Sequence, residues 1–246
     1  MRLLRLTTSN DTYPAVAEEL RAPAVCARQV EALTGDHVES MHRNIWPSDV
    51  LPDLVSKWMD DFQPDVVLVR PSAFWTTHEM IWIGVDRHLG APGRALAKLM
   101  KGTAEQGAVG GSRAFEFARG LVARAYPGQT HMTPEEATER IAPMLRRIVA
   151  KESAIVVVRG PAPVNNAARN AAGLARGQRR LERHDRLTDG LCRELRIPYS
   201  SALEALNHPH LLMPDQVHST EEGHRIAGEF EGKMIAEAWL AAKART

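Results

Sequence analysis

Two short runs of apolar, mostly β-branched residues constrain the fold more than any other feature of this sequence. One covers residues 64–69 (PDVVLV) and the other covers residues 154–158 (AIVVV). A strand that is apolar at successive positions is buried on both faces, which is typical of a parallel sheet covered by helices on both sides. The two runs therefore predict central strands of an α/β domain.

Weaker patterns predict the elements around these strands. They are an apolar run at residues 3–6, a helix from Pro14, a weak strand at 22–29, a charged helix at 174–195, a short strand at 197–199 and a last helix at 220–242. Strands that alternate with helices favour a parallel, doubly wound sheet, in which ligands bind outside the carboxyl ends of the strands. Polar residues that follow predicted strands are therefore the first candidates for a site.

The length of 246 residues suits one α/β domain, and we expect residues 1–246 to form a single unit. The regular alternation breaks at residues 76–132, where glycines separate short helical fragments. This stretch is too long for a simple crossover and is interpreted as a helical insertion or lid. The alternative is a long ordinary connection between a helix and a strand.

The charge balance argues against partners that bind by bulk electrostatics. Lys and Arg number 31 and Asp and Glu number 30, so neither a nucleic acid nor an anionic membrane is expected as a partner. The two cysteines suggest neither a disulfide framework nor a metal site. Without an apolar signal peptide or membrane-spanning run, a cytoplasmic protein is predicted, and its oligomeric state stays open.

A carboxylate and an imidazole stand three residues apart just before the last predicted helix, as Asp215 and His218. This spacing suits an acid that orients a histidine acting as a general base. Ser9 follows the first apolar run and can supply a nucleophile at the same edge of the sheet. On position alone, Ser9 also fits a helix-capping or turn serine, and the Asp–His pair also fits loop and cap residues.

With these residues in this order, the chain resembles the SGNH (GDSL-like) hydrolase superfamily. The phrase at residues 212–224 (LMPDQVHSTEEGH) is similar to the final sequence block of that family, and residues 64–69 are similar to the strand before its third block. The resemblance implies a three-layer α/β/α fold with a parallel sheet of flavodoxin-like order. It also implies a serine nucleophile at Ser9, a base at His218 and an orienting acid at Asp215.

The first three blocks of the family differ in this chain. Ser9 stands in Thr-Thr-Ser instead of Gly-Asp-Ser, and Phe74 stands where the family has an oxyanion-binding asparagine. Candidate donors to an oxyanion are Trp46 through its backbone N–H, Asn44 and Ser72. Candidate pocket residues are Phe74, Trp75 and His78, although aromatic residues at such spacing also fit core packing.

These patterns together favour an esterase that cleaves a small-molecule ester through an acyl-enzyme, with no cofactor and no metal. Two alternatives stay open, namely an acyltransferase that uses the same site and a non-catalytic binding protein with a degenerate oxyanion hole. A metal site at His208, His210, Asp215 and His218 lacks a complete ligand motif. A phosphate cradle at residues 7–11 lacks glycine and lysine.

Overall fold

A computed structural model describes residues 1–78, 130–163, 171–214 and 217–245. Its centre is a five-stranded, entirely parallel sheet with the strand order β2-β1-β3-β4-β5. The strands are β1 Arg2–Thr7, β2 Glu39–Asn44, β3 Val66–Val69, β4 Ile155–Arg159 and β5 Tyr199–Ser200. This is the flavodoxin-like order, so the predicted fold class is confirmed.

Seven α-helices and three 3-10 turns connect the strands within the described ranges. The helices are α1 Ala22–Thr34, α2 Leu51–Phe62, α3 Phe74–Thr77, α4 Pro134–Ala150, α5 Ala171–Leu195, α6 Leu203–Leu206 and α7 Glu221–Lys243. The 3-10 turns are Ser9–Thr12, Glu18–Leu20 and Pro209–Leu211. None of the helices in this part of the chain has the length and apolarity that a bilayer crossing requires.

Helices cover the sheet on both faces, which explains why the central strands are apolar at every position. All four residues of β3 are inaccessible to solvent. Leu3, Leu68 and Val157 pack against α1 and α7, whereas alternate residues such as Val67 and Val158 pack with α2, α4 and α5. The alternation follows from the period of two along a strand.

The α1 and α7 helices approach each other closely because α7 carries glycines at the contact. A Cβ atom on Gly228 would lie 2.6 Å from Val25 Cβ, and one on Gly232 would lie 2.6 Å from Gln29 Cβ. Such distances are well inside van der Waals contact, so a larger side chain at either position would push the helices apart. Gly228 and Gly232 lie on either side of Glu231 in the sequence of α7, and the Glu231 side chain is buried.

Two sequence predictions near the N-terminus are wrong. Residues 22–29 belong to helix α1 instead of a strand, because Pro23 lies in the first turn and Val25, Cys26 and Val30 are buried at helical spacing. The helix predicted from Pro14 is replaced by the 3-10 turn Glu18–Leu20. The second strand is β2, whose polar sequence suits an edge position and gave no apolar signal.

The predicted insertion at residues 76–132 lies mostly outside the described residues, since 79–129 are not among them. The described residues on the two sides of this gap lie close together, because the Met132 N–H donates to the Trp75 carbonyl at 3.0 Å. The two ends of an inserted segment have to lie close together, and this contact agrees with the prediction of an insertion. The insertion itself, and its function as a lid, stay predictions.

His224 in the first turn of α7 caps the neighbouring helix α1. Its Nδ1 accepts from the Ala22 N–H at 3.2 Å, and the side chain is buried. Burial lowers the pKa of His224 to about 4. A proton on Nδ1 would remove this acceptor and place a positive charge at the positive end of the α1 dipole.

We expect acid to destabilise the fold through His224. Above pH 6.5 the imidazole is neutral in both states, but between pH 6.5 and about 4 only the unfolded chain gains the proton, so stability falls with pH. The loss from this group is at most about 3 kcal/mol. Urea unfolding at pH 7 and pH 4.5 should give a smaller difference for His224→Gln than for the wild type. The exposed His208 provides a control for the same chemical change, because His208→Gln should leave the difference unchanged.

Candidate active site

A cavity of about 440 Å³ opens at the carboxyl edge of the sheet. Its wall contains residues that lie at the ends of β1, β2, β3 and β4, as expected for a doubly wound sheet. Ser9 and His218 both line this cavity. The volume suits a small molecule.

Ser9 begins the 3-10 turn Ser9–Thr12 that follows β1, and its side chain is exposed. The turn is anchored by Asp11, whose side chain is buried. Asp11 accepts from the Thr7 hydroxyl at 2.9 Å and from Arg5 and Arg70. A turn fixed by one of its own carboxylates presents Ser9 to the cavity on a rigid support.

His218 lies in a loop closed by main-chain hydrogen bonds. The Met213 N–H donates to the His218 carbonyl at 2.7 Å, and Leu212 forms an antiparallel bridge with Ser219. The imidazole stacks on the Tyr13 ring with 3.6 Å between the centroids and 9° between the planes. Asp215 lies outside the described residues.

Asn10 joins the Ser9 turn to the His218 loop by two hydrogen bonds. Its Nδ2 donates to Ser219 Oγ at 2.9 Å, and its Oδ1 accepts from the Ser219 N–H at 3.0 Å. Asn10 directly follows Ser9 in the sequence, and Ser219 directly follows His218. Because two bonds fix both distance and orientation, the two loops cannot move independently in this arrangement.

The three candidate oxyanion donors, Asn44, Trp46 and Ser72, all line the cavity. Trp46 is 44% exposed. Ser72 Oγ accepts from the Phe74 N–H at 3.2 Å, which leaves its hydroxyl proton to donate elsewhere. The cavity wall therefore offers polar groups from the ends of both β2 and β3.

The three pocket candidates differ in position. Phe74 and Trp75 line the cavity. His78 is not among the described lining residues, but its ring stacks on Phe74 with 4.5 Å between the centroids. Burial lowers the pKa of His78 to about 4, so it is neutral near pH 7. His78 thus packs against Phe74, which lines the cavity.

A cluster of five buried charged residues adjoins the cavity and was missed by the sequence analysis. We call Arg5, Asp11, Arg70, Arg159 and Glu231 the ionic cluster. Arg5 Nη2 donates to Asp11 Oδ2 at 2.9 Å and to Glu231 Oε2 at 2.7 Å. Arg70 donates to Asp11 Oδ1 at 2.5 Å and to Glu231 Oε1 at 3.3 Å. Arg159 Nε makes an ion-pair contact of 2.8 Å with Glu231 Oε1.

The three arginines project from the same face of three adjacent strands. Alternate residues of a strand share a face, so Arg5 lies on the side of Leu3 and Arg159 on the side of Val157, toward α1 and α7. The same alternation holds for Arg70, directly after β3. The sequence contains a signal for this, because an arginine ends or interrupts each of three apolar runs. The glutamate on α7 that pairs with them is too distant in sequence to be inferred.

Both carboxylates of the cluster are ionised. Burial acts to raise the pKa of Asp11, but the guanidiniums of Arg70 and Arg5 outweigh it and hold the pKa well below its usual range. Burial likewise opposes the lowering of the pKa of Glu231, which Arg5, Arg159 and Arg70 bring about. Burial lowers the pKa of Arg159 to about 10, so it still carries its proton near neutral pH.

Within the described ranges, no group of three or more His, Cys, Asp or Glu side chains is placed to hold a metal ion. His208 and His210 lie close together, with their rings stacked at 5.7 Å between the centroids. Neither residue is among the described lining residues of the cavity.

Solved esterase structures have the same fold. The aryl esterase of M. smegmatis matches with a TM-score of 0.57 and 14% identity, covering 96% of this chain and 99% of that one. Est24, a carbohydrate acetylesterase from Sinorhizobium meliloti, matches with a TM-score of 0.58 and 11% identity, covering 96% and 98%. A putative lipolytic protein of the G-D-S-L family from Desulfitobacterium hafniense DCB-2 matches with a TM-score of 0.51 and 12% identity, covering 95% and 98%.

The chain therefore has the same α/β fold as these solved structures, which agrees with the fold that the sequence resemblance implied, in a strongly divergent sequence. No protein-family model and no curated sequence matches the chain. The likeness to the solved structures extends over nearly the whole chain and establishes the fold.

Proposed function

We propose that the chain is a serine hydrolase that cleaves a carboxylic ester of a small molecule. Ser9 is the nucleophile, His218 is the general base, and Asp215 orients and stabilises the histidine. The observation that carries this assignment is the presence of Ser9 and His218 on one cavity wall, with their loops joined by Asn10 and Ser219. The fold shared with solved esterases supports the same reaction class.

The reaction has two halves. In the first, His218 takes the Ser9 proton while Ser9 Oγ bonds to the acyl carbon; the carbon–alkoxide bond breaks, and the proton leaves with the alcohol. In the second, His218 takes a proton from a water whose oxygen bonds to the acyl carbon; the bond between that carbon and Ser9 Oγ breaks, Ser9 regains its proton from His218, and the acid is released. The two hydrogen bonds of Asn10 hold the His218 loop against the Ser9 turn during both halves of the reaction.

The oxyanion of the tetrahedral intermediates needs donors that are already in place. Asn44, Trp46 and Ser72 lie on the cavity wall and can supply them. Phe74 offers no side-chain donor, and losing one oxyanion donor typically raises the barrier by about 2.7–4 kcal/mol. We therefore expect slower acylation than in a site that has an asparagine at this position.

The assignment is tested by labelling with a fluorophosphonate that reacts with activated serines. We expect the wild-type chain to be labelled on Ser9, and Ser9→Ala to remain unlabelled. Ser40→Ala is the matched control, because Ser40 is exposed on β2 and is not among the described lining residues of the cavity, so labelling of Ser9 should stay in place. Labelling that persists in Ser9→Ala would move the nucleophile elsewhere. No labelling of any variant would favour a binding function for the cavity.

A further inference from the structure

The charged groups on the cavity wall are all positive among the described residues. Among the described lining residues, two arginines, Arg70 and Arg159, are charged, and none is an aspartate or a glutamate. The remaining described wall is apolar or neutral and polar, apart from the imidazole of His218. A small cavity with this wall favours a ligand that carries a negative charge.

Arg159 has donors that the described structure does not use. Its only contact to another charged group is the one between its Nε and Glu231, and its Nη1 is buried without a hydrogen-bond partner. By contrast, Arg70 uses both terminal nitrogens, one on Asp11 and one on Glu231. Arg159 and Arg70 both line the cavity and are almost equally buried, at 3% and 4% exposed, so the unused donors of Arg159 make its guanidinium the better cationic group for a ligand.

The ionic cluster as a whole has one positive charge too many. It has three guanidiniums and two carboxylates, and no neighbouring titratable group offsets the extra positive charge. Burial lowers the pKa of His42 and His224, and burial raises the pKa of Cys26 to about 12, so all three are neutral near pH 7. An uncompensated buried charge is unfavourable, and an anion bound at Arg159 would neutralise it.

We propose that the cavity binds the carboxylate of an ester substrate through Arg159, so that the preferred substrate is the half-ester of a dicarboxylic acid. This builds on the hydrolase function proposed above and adds its substrate class. A carboxylate matches the planar guanidinium fork and contributes one negative charge, which is the excess of the cluster. A phosphate monoester would contribute nearly two charges and overcompensate it.

A matched pair of substrates tests this preference. Monophenyl succinate and phenyl methyl succinate release the same phenol, but only the first carries a free carboxylate. We expect the wild type to favour the anionic ester at least about tenfold in kcat/KM, and Arg159→Gln to bring that ratio near one. The ratio does not depend on the amount of folded protein, because partial unfolding lowers both rates equally.

Arg146→Gln is the control for the same chemical change. Arg146 is exposed and pairs with Glu194 on the surface, so this variant should keep the wild-type ratio. A wild-type ratio near one, or a ratio unchanged in Arg159→Gln, would overturn the proposal. An equal loss on both esters in Arg159→Gln would also overturn it, because Arg159 would then act on the oxyanion or on the fold.

Binding is measured separately from turnover in the Ser9→Ala background. Monomethyl succinate at about ten times its Kd should raise the melting temperature by about 2–4 °C, and dimethyl succinate should not. The shift should vanish when Arg159→Gln is added. If neither phenyl ester is hydrolysed and Ser9 is not labelled, the hydrolase function fails, whereas this melting shift still decides whether Arg159 binds a carboxylate.

Discussion

Glu231→Gln is expected to lower the free energy of unfolding by about 3–5 kcal/mol, because breaking a buried ion pair leaves charge without compensation. Glu231 contacts all three arginines of the ionic cluster and is fully buried. Its loss would leave Asp11 as the single carboxylate for three guanidiniums. Since small domains are stable by only about 5–15 kcal/mol, the effect should be easily measured by urea unfolding at neutral pH.

Glu237→Gln is the control on the same helix, because its side chain is largely exposed and pairs only weakly with Lys233. This change should stay within about 0.5 kcal/mol of the wild type. Adding Arg159→Gln to Glu231→Gln should recover part of the lost stability, since the double change removes one cation along with one anion. A Glu231→Gln protein within about 1 kcal/mol of the wild type would refute the electrostatic account of the cluster.

His218→Ala is expected to lower kcat for phenyl ester hydrolysis by at least about 10³-fold, with a much smaller effect on KM. The imidazole accepts the proton of Ser9 and does not bind the ground-state substrate. Its loss therefore raises the free energy of the transition state and changes substrate binding little. Ser9→Ala should cost a similar factor. The double variant should be no slower than either single variant, because residues that act as one unit show non-additive losses.

His210→Ala is the matched control, because His210 is exposed and close in sequence to His218. Its backbone carbonyl accepts from the Thr220 hydroxyl, and that contact survives removal of the ring. We expect wild-type kcat for this variant in initial-rate assays. Retention of more than about a tenth of kcat in His218→Ala would exclude it as the general base.

The fold was predictable where the sequence pattern is local. Residues 66–69 and 155–158 are apolar at every position because both faces of the central strands are covered. The last helix follows from polar start signals, and Thr220 at its N-terminus accepts from the Gly223 N–H. Strand β2 was missed because an edge strand with a polar sequence lacks this pattern.

The candidate site was predictable only in part, because its support depends on contacts between distant segments. Ser9 follows β1 and His218 precedes α7, and both line the cavity at the carboxyl edge of the sheet. The Asn10–Ser219 bridge and the Arg5–Glu231 pair join residues more than 200 positions apart. No local pattern encodes such pairs, and the sequence signal for the ionic cluster was an arginine that ends or interrupts each of three apolar runs.

The ionic cluster also determines when the domain can be completed during synthesis. Arg5, Arg70 and Arg159 leave the ribosome long before Glu231, which lies in the last helix. Until α7 emerges and docks, three cations on one sheet face have a single carboxylate between them, and α7 does not yet help α1 to cover that face. Premature termination before α7 would therefore yield a chain whose sheet stays exposed to aggregation and proteolysis, instead of a smaller folded domain.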